Sequence, residues 1–213
     1  MENEKDYYLF YGGLFSQWAD IPMVIDGVEY SCNEQYMMAE KARLFGDDEM
    51  HAKIMASDNP EEMKMKFGRH VRNFDDSVWK ANARDIVYKA NYAKFTQNYD
   101  CLLELAYSRG KTVVEASPTD KIWGIGLDQF DPRATDESQW QGTNWLGEAI
   151  MKVRDELEKD GWFAEIDKRI KQFEEEPYDP RLDPYSSLKV SDDEFDPNDY
   201  LDDIWWEDPR DKN

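Results

Sequence analysis

The stretch Ser31–Phe45, SCNEQYMMAEKARLF, carries the residues best spaced to do chemistry. Glu34, Met38 and Lys41 recur at i, i+4 and i+7, so on a helix a carboxylate and an amine share one face, two turns apart. A carboxylate can move protons and an amine can attack or bind an electrophile. The same two residues also suit the solvated face of an ordinary amphipathic helix, where Glu and Lys are commonest. Tyr36, Met37, Ala39, Ala42, Leu44 and Phe45 provide the apolar surface such a helix would bury. Ser31 or Asn33 is expected to cap its start and Gly46 to end it.

Composition narrows the classes that this helix can serve. A chain of 213 residues supports one core with something appended. Cys32 and Cys101 sit in apolar helical patterns with no CxxC nearby, so neither a disulfide framework nor a metal site is expected, and the setting should be reducing and cytoplasmic. His51 and His70 are the only histidines, which argues against a histidine-based hydrolase. No run is long enough to span a bilayer, and MENEKDYY does not begin a signal peptide. The formal charge is −21. From Gln172 onward fifteen acidic residues face four basic ones, giving −11 for the tail and leaving −10 for the remainder. A field of that sign repels a phosphate backbone, so tight non-specific DNA binding is not expected.

The elements that must position Glu34 and Lys41 follow in order. Tyr7–Tyr11 reads as a strand closed by Gly12–Gly13. Met23–Ile25, Asp26–Gly27 and Val28–Tyr30 read as a hairpin with a tight Asp-Gly turn. Helices are predicted over Asp47–Ala56, over Asn59–His70 with Pro60 in its first turn, and from Asp75–Asp76 toward Phe95, the longest of the set. Cys101–Tyr107 is a short helix. Thr112–Ala116 is a β-branched strand running into SPTDKIWGIGL, a loop on a strand end where sites are often found. Glu115, inside this strand, points either to a site or to Arg partners in the core. Trp145–Leu157 is a final amphipathic helix, with an extension past Gly161 to about Phe173. Residues 174–213 are too polar to offset chain entropy and are expected to form a mobile acidic tail. Leu201–Trp206 is its one acidic-aromatic patch, suited to a protein partner.

FSQW at 15–18, EQYMMAEKA at 34–42, FGR at 67–69, Trp79, AKFTQN at 93–98, VVEASPTDKIWGIG at 113–126 and WQGTNWLGEAIMKVR at 140–154 together resemble the NADAR family of YbiA-like N-glycosidases. The likeness covers roughly Tyr7–Leu157. One departure is Gln35, where the family often has His. The resemblance implies a predominantly helical α+β single domain with a small β element over 1–160; the helical extension over 161–173 and the acidic tail beyond lie outside it. It also implies hydrolysis of N-glycosidic bonds of phosphorylated ribose derivatives, without metal or other cofactor. Its substrates would be ADP-ribose on guanine, in DNA or a nucleotide, or phosphorylated ribosylamino-pyrimidines of riboflavin synthesis.

Carried over residue by residue, the resemblance points to Glu34, Trp79 and Asp120, with Lys41 a further catalytic candidate. Positive charge develops on ribose as the base leaves C1, so carboxylates beside the ring stabilise it and transfer protons. Lys41 could form an imine with the opened sugar, if burial or a neighbouring cation disfavours its ammonium, or could clamp phosphate as a charged group. Trp79 could stack on a base or pack in the core. Arg69 could hold phosphate or cap a helix, and Lys94 could bind ligand or lie on a solvated face. Ser16, Trp123, Gly124, Gly126 and Asn144 could form a pocket wall or simply tight turns. GIG alone does not make a dinucleotide fingerprint. Two other functions stay open: riboflavin-intermediate clearance, and non-catalytic ADP-ribose binding or partner capture through the tail.

Overall fold

The computed structural model describes residues 6–175. Among the described residues the chain forms a mostly helical α+β fold with two two-stranded sheets. Its opening strand β1 (Tyr7–Phe10) pairs in parallel with β4 (Thr112–Glu115), placing Phe10 opposite Glu115. A parallel pair needs a long crossover. Here the crossover holds a hairpin, five α-helices and three short 3-10 or π-helical turns, and parts of it build one side of the site.

The hairpin is β2 (Met23–Ile25) and β3 (Val28–Tyr30), antiparallel as its turn chemistry predicts. Asp26 and Gly27 both take positive φ, 53° and 79°, the geometry that matches the natural twist of paired strands.

Helix α1 (Asn33–Leu44) follows directly. Neither Ser31 nor Asn33 caps it. Cys32 occupies the cap position in extended conformation, and Gln35 reaches back to accept a 2.8 Å hydrogen bond from the Ser31 N–H. The Gln35 amide nitrogen donates to the carbonyls of Ile54 and Ser57, tying α1 to the end of α2 (Asp48–Met55). Gln35 thus braces two helices. The amphipathic reading of α1 also needs correction, since Asn33 to Ala39 and Ala42 are all buried while Leu44 is exposed. Glu34 is only 3% exposed, which excludes a solvated face for it.

The expected Asn59–His70 helix changes pitch twice. Asn59 caps a single turn, α3 (Pro60–Glu62), accepting from the N–H groups of Glu61 and Glu62. A π-helical turn follows over Met63–Phe67, then a 3-10 turn over Gly68–His70. Met38 of α1 explains the glycine in that last turn, because a Cβ at Gly68 would overlap its sulfur. Wide π-helical turns change the direction in which successive side chains leave the helix.

Helix α4 (Asp76–Gln97) is the longest, capped by Asp75, and packs on α1. α5 (Tyr99–Tyr107) leads to β4. α6 (Trp145–Lys159) covers both α4 and β4, and α7 (Ala164–Glu175) follows a break at Gly161. Val114, Ala116, Ile125, Leu127 and Ala134 form a tight apolar cluster under the strand end. Cys32 and Cys101 are buried free thiols. No helix among the described residues is long and apolar enough to cross a membrane. Helix α7 runs through Glu175, two residues into the expected acidic tail; the mobility expected for the rest of that tail, and docking by Leu201–Trp206, concern residues outside those described.

Candidate active site

A cavity of about 970 Å³ opens where four segments meet: Phe10–Trp18, the start of α1, the π-helical turn with Arg69, and the chain from Glu115 to Trp123. Its size lies at the upper end of small-molecule sites. Glu34, Lys64, Glu115 and Asp120 supply its charged interior. Trp18, Met37 and Trp123 supply apolar wall, and Arg69 is exposed at its edge.

Glu34 enters from the first turn of α1, which is docked by its backbone N–H donating to the Gln17 carbonyl at 2.9 Å. The Trp18 indole N–H donates to its Oε2 at 3.1 Å, whereas Oε1 is buried with no partner. Burial pushes the Glu34 carboxyl pKa up, and Lys64 and the Trp18 hydrogen bond offset this only in part. Asp120 is treated in the opposite way. Its Oδ1 accepts from the N–H groups of Trp123 (2.8 Å) and Ile122 (2.9 Å), and its Oδ2 from the Lys64 ammonium (3.3 Å). Burial works upward here too, but those backbone donors and then Lys64 hold the carboxyl below its ordinary range. One cavity therefore holds an acid biased toward protonation and another biased toward ionisation.

Glu115, the last residue of β4, also lines the cavity. Strand alternation sends Val114 and Ala116 into the apolar cluster and Glu115 to the other face. Its Oε2 is buried and unpaired, and burial, with Asp120 beside it, raises its pKa to about 7. Of the two readings for this residue, the structure selects the site.

The remaining candidates divide. Ser16 and Trp123 line the cavity; Ser16 receives the Trp18 N–H at its Oγ, and Trp123 packs edge-on against Trp145 at 5.8 Å. Lys41, Trp79, Lys94, Gly124, Gly126 and Asn144 are not in the cavity lining. Lys41 donates to the Gly68 carbonyl at 2.8 Å and lies 4.4 Å from the centre of the Phe74 ring and 5.5 Å from that of Trp79. Burial lowers its pKa, Glu34 raises it and Arg69 lowers it again, the net direction being downward. Trp79 forms part of this lysine's enclosure, half-buried.

Lys94 corrects both of its sequence readings, solvated face and ligand contact. It is 1% exposed and donates to the Ser16 carbonyl at 3.1 Å, underpinning the cavity from the core side. Burial brings its pKa down to about 8.

Asn144 is buried in left-handed conformation, φ 53°. Its amide donates to the Val113 carbonyl at 2.9 Å and its Oδ1 accepts from the Glu115 N–H at 3.0 Å. Its backbone N–H and those of Thr143, Trp145 and Leu146 donate to carbonyls of Lys121 to Gly124. Asn144 therefore holds together the strand end, the Asp120 loop and α6. Gly124 and Gly126 serve the same packing, since a Cβ at Gly124 would lie 2.9 Å from the Glu115 carbonyl and Gly126 has φ 69°.

The residue that sequence reasoning missed is Lys64. It stands on the π-helical turn over Met63–Phe67 and lines the cavity. Trp18 was visible only as part of FSQW.

The fold and the sequence place the chain in a family: it belongs to the NADAR domain family, whose model matches residues 7–158. Among its relatives, N-glycosidase R617 of Acanthamoeba polyphaga mimivirus is 42% identical over 168 residues, covering 72% of this chain and 98% of the viral protein. Protein irg-1 of Caenorhabditis elegans is 45% identical over 132 residues, 61% of this chain and 62% of that one. The solved structure of Escherichia coli YbiA matches 76% of this chain and 92% of its own, with a TM-score of 0.61 at 24% identity, which supports the fold.

Proposed function

We propose that the cavity is the active site of an N-glycosidase that removes ADP-ribose from guanine, in a nucleotide or in nucleic acid. The general part, N-glycosidase, is supported by the family and by the names of two relatives, R617 and YbiA. The observation that carries the chemistry is the opposite bias of Glu34 and Asp120 within one cavity. Glu34 in its protonated form donates to the departing base nitrogen as the C1–N bond breaks. The Asp120 carboxylate stabilises the positive charge that grows on the ribose and takes a proton from the incoming water. Water delivers hydroxide to C1 and the base leaves protonated, so charge and atoms balance.

The volume favours a substrate larger than a pyrimidine monophosphate. Trp18 and Trp123 offer flat faces for two ring systems, and Arg69 and Lys121 offer cations for a diphosphate. If an amine attacks C1 instead of water, Lys64 is better placed than Lys41, because it faces the cavity. Such a hydrolase would reverse guanine ADP-ribosylation, including that made by a DNA-modifying toxin.

Clearance of ribosylamino-pyrimidine phosphates is the second reading, favoured by 28% identity over 132 residues to the maize riboflavin biosynthesis protein PYRR, of which that match covers 19%. The deciding experiment offers ADP-ribosyl-guanine in an oligonucleotide and a ribosylamino-pyrimidine phosphate to wild type and to Glu34→Ala, with released sugar followed by mass spectrometry. ADP-ribose released by wild type alone supports the first reading. Turnover of the pyrimidine alone moves the function to metabolite clearance. Binding without turnover of either leaves a reader of ADP-ribose.

A further inference from the structure

The mechanism above uses two of the three carboxyls in the cavity and leaves Glu115 without a task. Its backbone is fixed from both sides. The N–H donates to Asn144 Oδ1 at 3.0 Å, and the carbonyl accepts from the Ile125 N–H at 3.0 Å. Parallel pairing with Phe10 fixes the strand beneath it. The side chain is therefore held at the cavity wall by the fold and not by partners of its own, for its Oε2 is buried and makes no hydrogen bond. Glu34 Oε1, 97% of whose residue surface is covered, is likewise unpaired in the same cavity. Leaving a buried polar atom unpaired costs on the order of 1–3 kcal/mol. Both residues line the same cavity, so a ligand group entering it can complete the bonding of their carboxyls.

From this geometry we infer that Glu115 is a specificity residue that grips the hydroxyl beside C1 of the ribose, so that the site cleaves ribosides and spares 2′-deoxyribosides. The inference rests on the N-glycosidase reading. Glu34 and Asp120 are assigned to the bond at C1, and Glu115 sits close enough to both to feel their charges, as well as that of Lys64. A hydroxyl both donates and accepts, so it satisfies Glu115 in either protonation state. A deoxy sugar presents only C–H there and leaves the buried oxygen unpaired.

The consequence matters for a substrate in DNA. Modified guanine in DNA carries two N-glycosidic bonds, one to the ADP-ribosyl ribose and one to its own deoxyribose. A carboxyl that demands a hydroxyl next to C1 directs cleavage to the first. Sites built to bond a hydroxyl reject analogues that lack it by large factors.

The test measures kcat/KM for ADP-ribosyl-guanosine and for its analogue lacking the 2′-hydroxyl of the ADP-ribosyl sugar, using wild type, Glu115→Gln and Glu115→Asp. Equilibrium binding of ADP-ribose and its corresponding 2′-deoxy analogue is measured in parallel. Wild type should prefer the hydroxylated compound by at least 100-fold in turnover and at least tenfold in binding. Glu115→Gln, whose amide can also bond a hydroxyl, should keep much of this preference, whereas Glu115→Asp, too short to reach, should lose it. Circular dichroism melting confirms that the variants fold. Equal preference in wild type and both folded variants overturns the role of Glu115 while leaving the N-glycosidase reading intact. Wild type that turns over neither compound overturns that reading, and the binding comparison then decides on Glu115 alone.

Discussion

The two walls that carry Glu34 and Asp120 solve the same problem, a carboxyl inside a cavity, in opposite ways. The α1 wall is the buried first turn of a helix whose Glu34 N–H is committed to the Gln17 carbonyl, so the Glu34 carboxyl receives one indole N–H and keeps an unpaired oxygen. The other wall is a loop turned back on itself at Asp120, so its own N–H groups at residues 122 and 123 point at the carboxylate. The buried first turn of α1 desolvates its acid and spends the Glu34 N–H on the Gln17 carbonyl; a tight loop supplies donors at short range. The difference between the walls is thus a difference in backbone, expressed as acidity.

Breaking either wall's carboxyl should give the largest effect. Glu34→Gln and Asp120→Asn should each lower kcat by roughly 10²–10⁴-fold, the usual size of a lost proton-transfer group. Their pH profiles should distinguish them. Activity requires ionised Asp120 and protonated Glu34, so the wild-type profile falls on the acid side below the ordinary carboxylate range and on the basic side above it. Asp120→Asn removes the acid limb. Glu34→Gln removes the basic one. Single-turnover rates across pH 3 to 9 check both, and an unchanged profile in either variant breaks the pairing.

Next in size is the post that keeps the loop wall in place. Asn144→Ala leaves the Val113 carbonyl and the Glu115 N–H without their side-chain partners. Each buried group so orphaned costs about 1–3 kcal/mol. Stability should fall by about 2–4 kcal/mol in urea titrations, and residual activity should drop with the loop's geometry.

Much of the α1 wall was legible in the sequence and much of the loop wall was not. Asp26–Gly27, the Asp75 cap and the long helix from Asp76 are local features, fixed by turn geometry and side-chain hydrogen bonds within a few residues. Spacing put Glu34 on a helix, and that held. It also paired Glu34 with Lys41, but spacing says nothing of enclosure: Phe74 and Trp79, more than thirty residues on, surround the amine. Asn144 acts on Val113 and Glu115, about thirty residues back, through contacts that only the folded β4–α6 packing creates. Lys64 was hidden because a π-helical turn departs from the period on which helical faces are read. Lys94 was misread because a buried lysine satisfied by one carbonyl looks, in sequence, like any other lysine on a helix.

Glu115 sharpens the contrast by adding a third carboxyl that has neither wall's solution. Its pKa is about 7 in the folded chain against an ordinary value of 4.5. The folded state thus holds this proton to higher pH than the unfolded one. Its cost is absent below pH 4.5, grows from there to about 7 and is complete above that. Glu115→Gln should therefore raise stability by about 2–3 kcal/mol at pH 8 and by little at pH 4.5. Melting curves at the two pH values check this, and equal gains at both would assign the effect to packing.

The smallest expected effect is also the finest probe of how the two walls communicate. Lys64 stands between them, donating to Asp120 and exerting the strongest downward pull on Glu34. Lys64→Met keeps the length of the side chain and removes the charge. Both carboxyl pKa values should then rise, so the whole pH profile should move to higher pH by about one unit, equivalent to about 1.4 kcal/mol of interaction. If the two limbs move together, one cation sets both walls. If only the acid limb moves, Lys64 belongs to the Asp120 loop alone and does not offset the burial of Glu34. Borohydride reduction during turnover adds the chemical side of the same question. A sugar adduct that disappears in Lys64→Met and survives in Lys41→Met makes the cavity lysine a nucleophile, whereas absence of adduct in wild type leaves it as the shared charge between two acids.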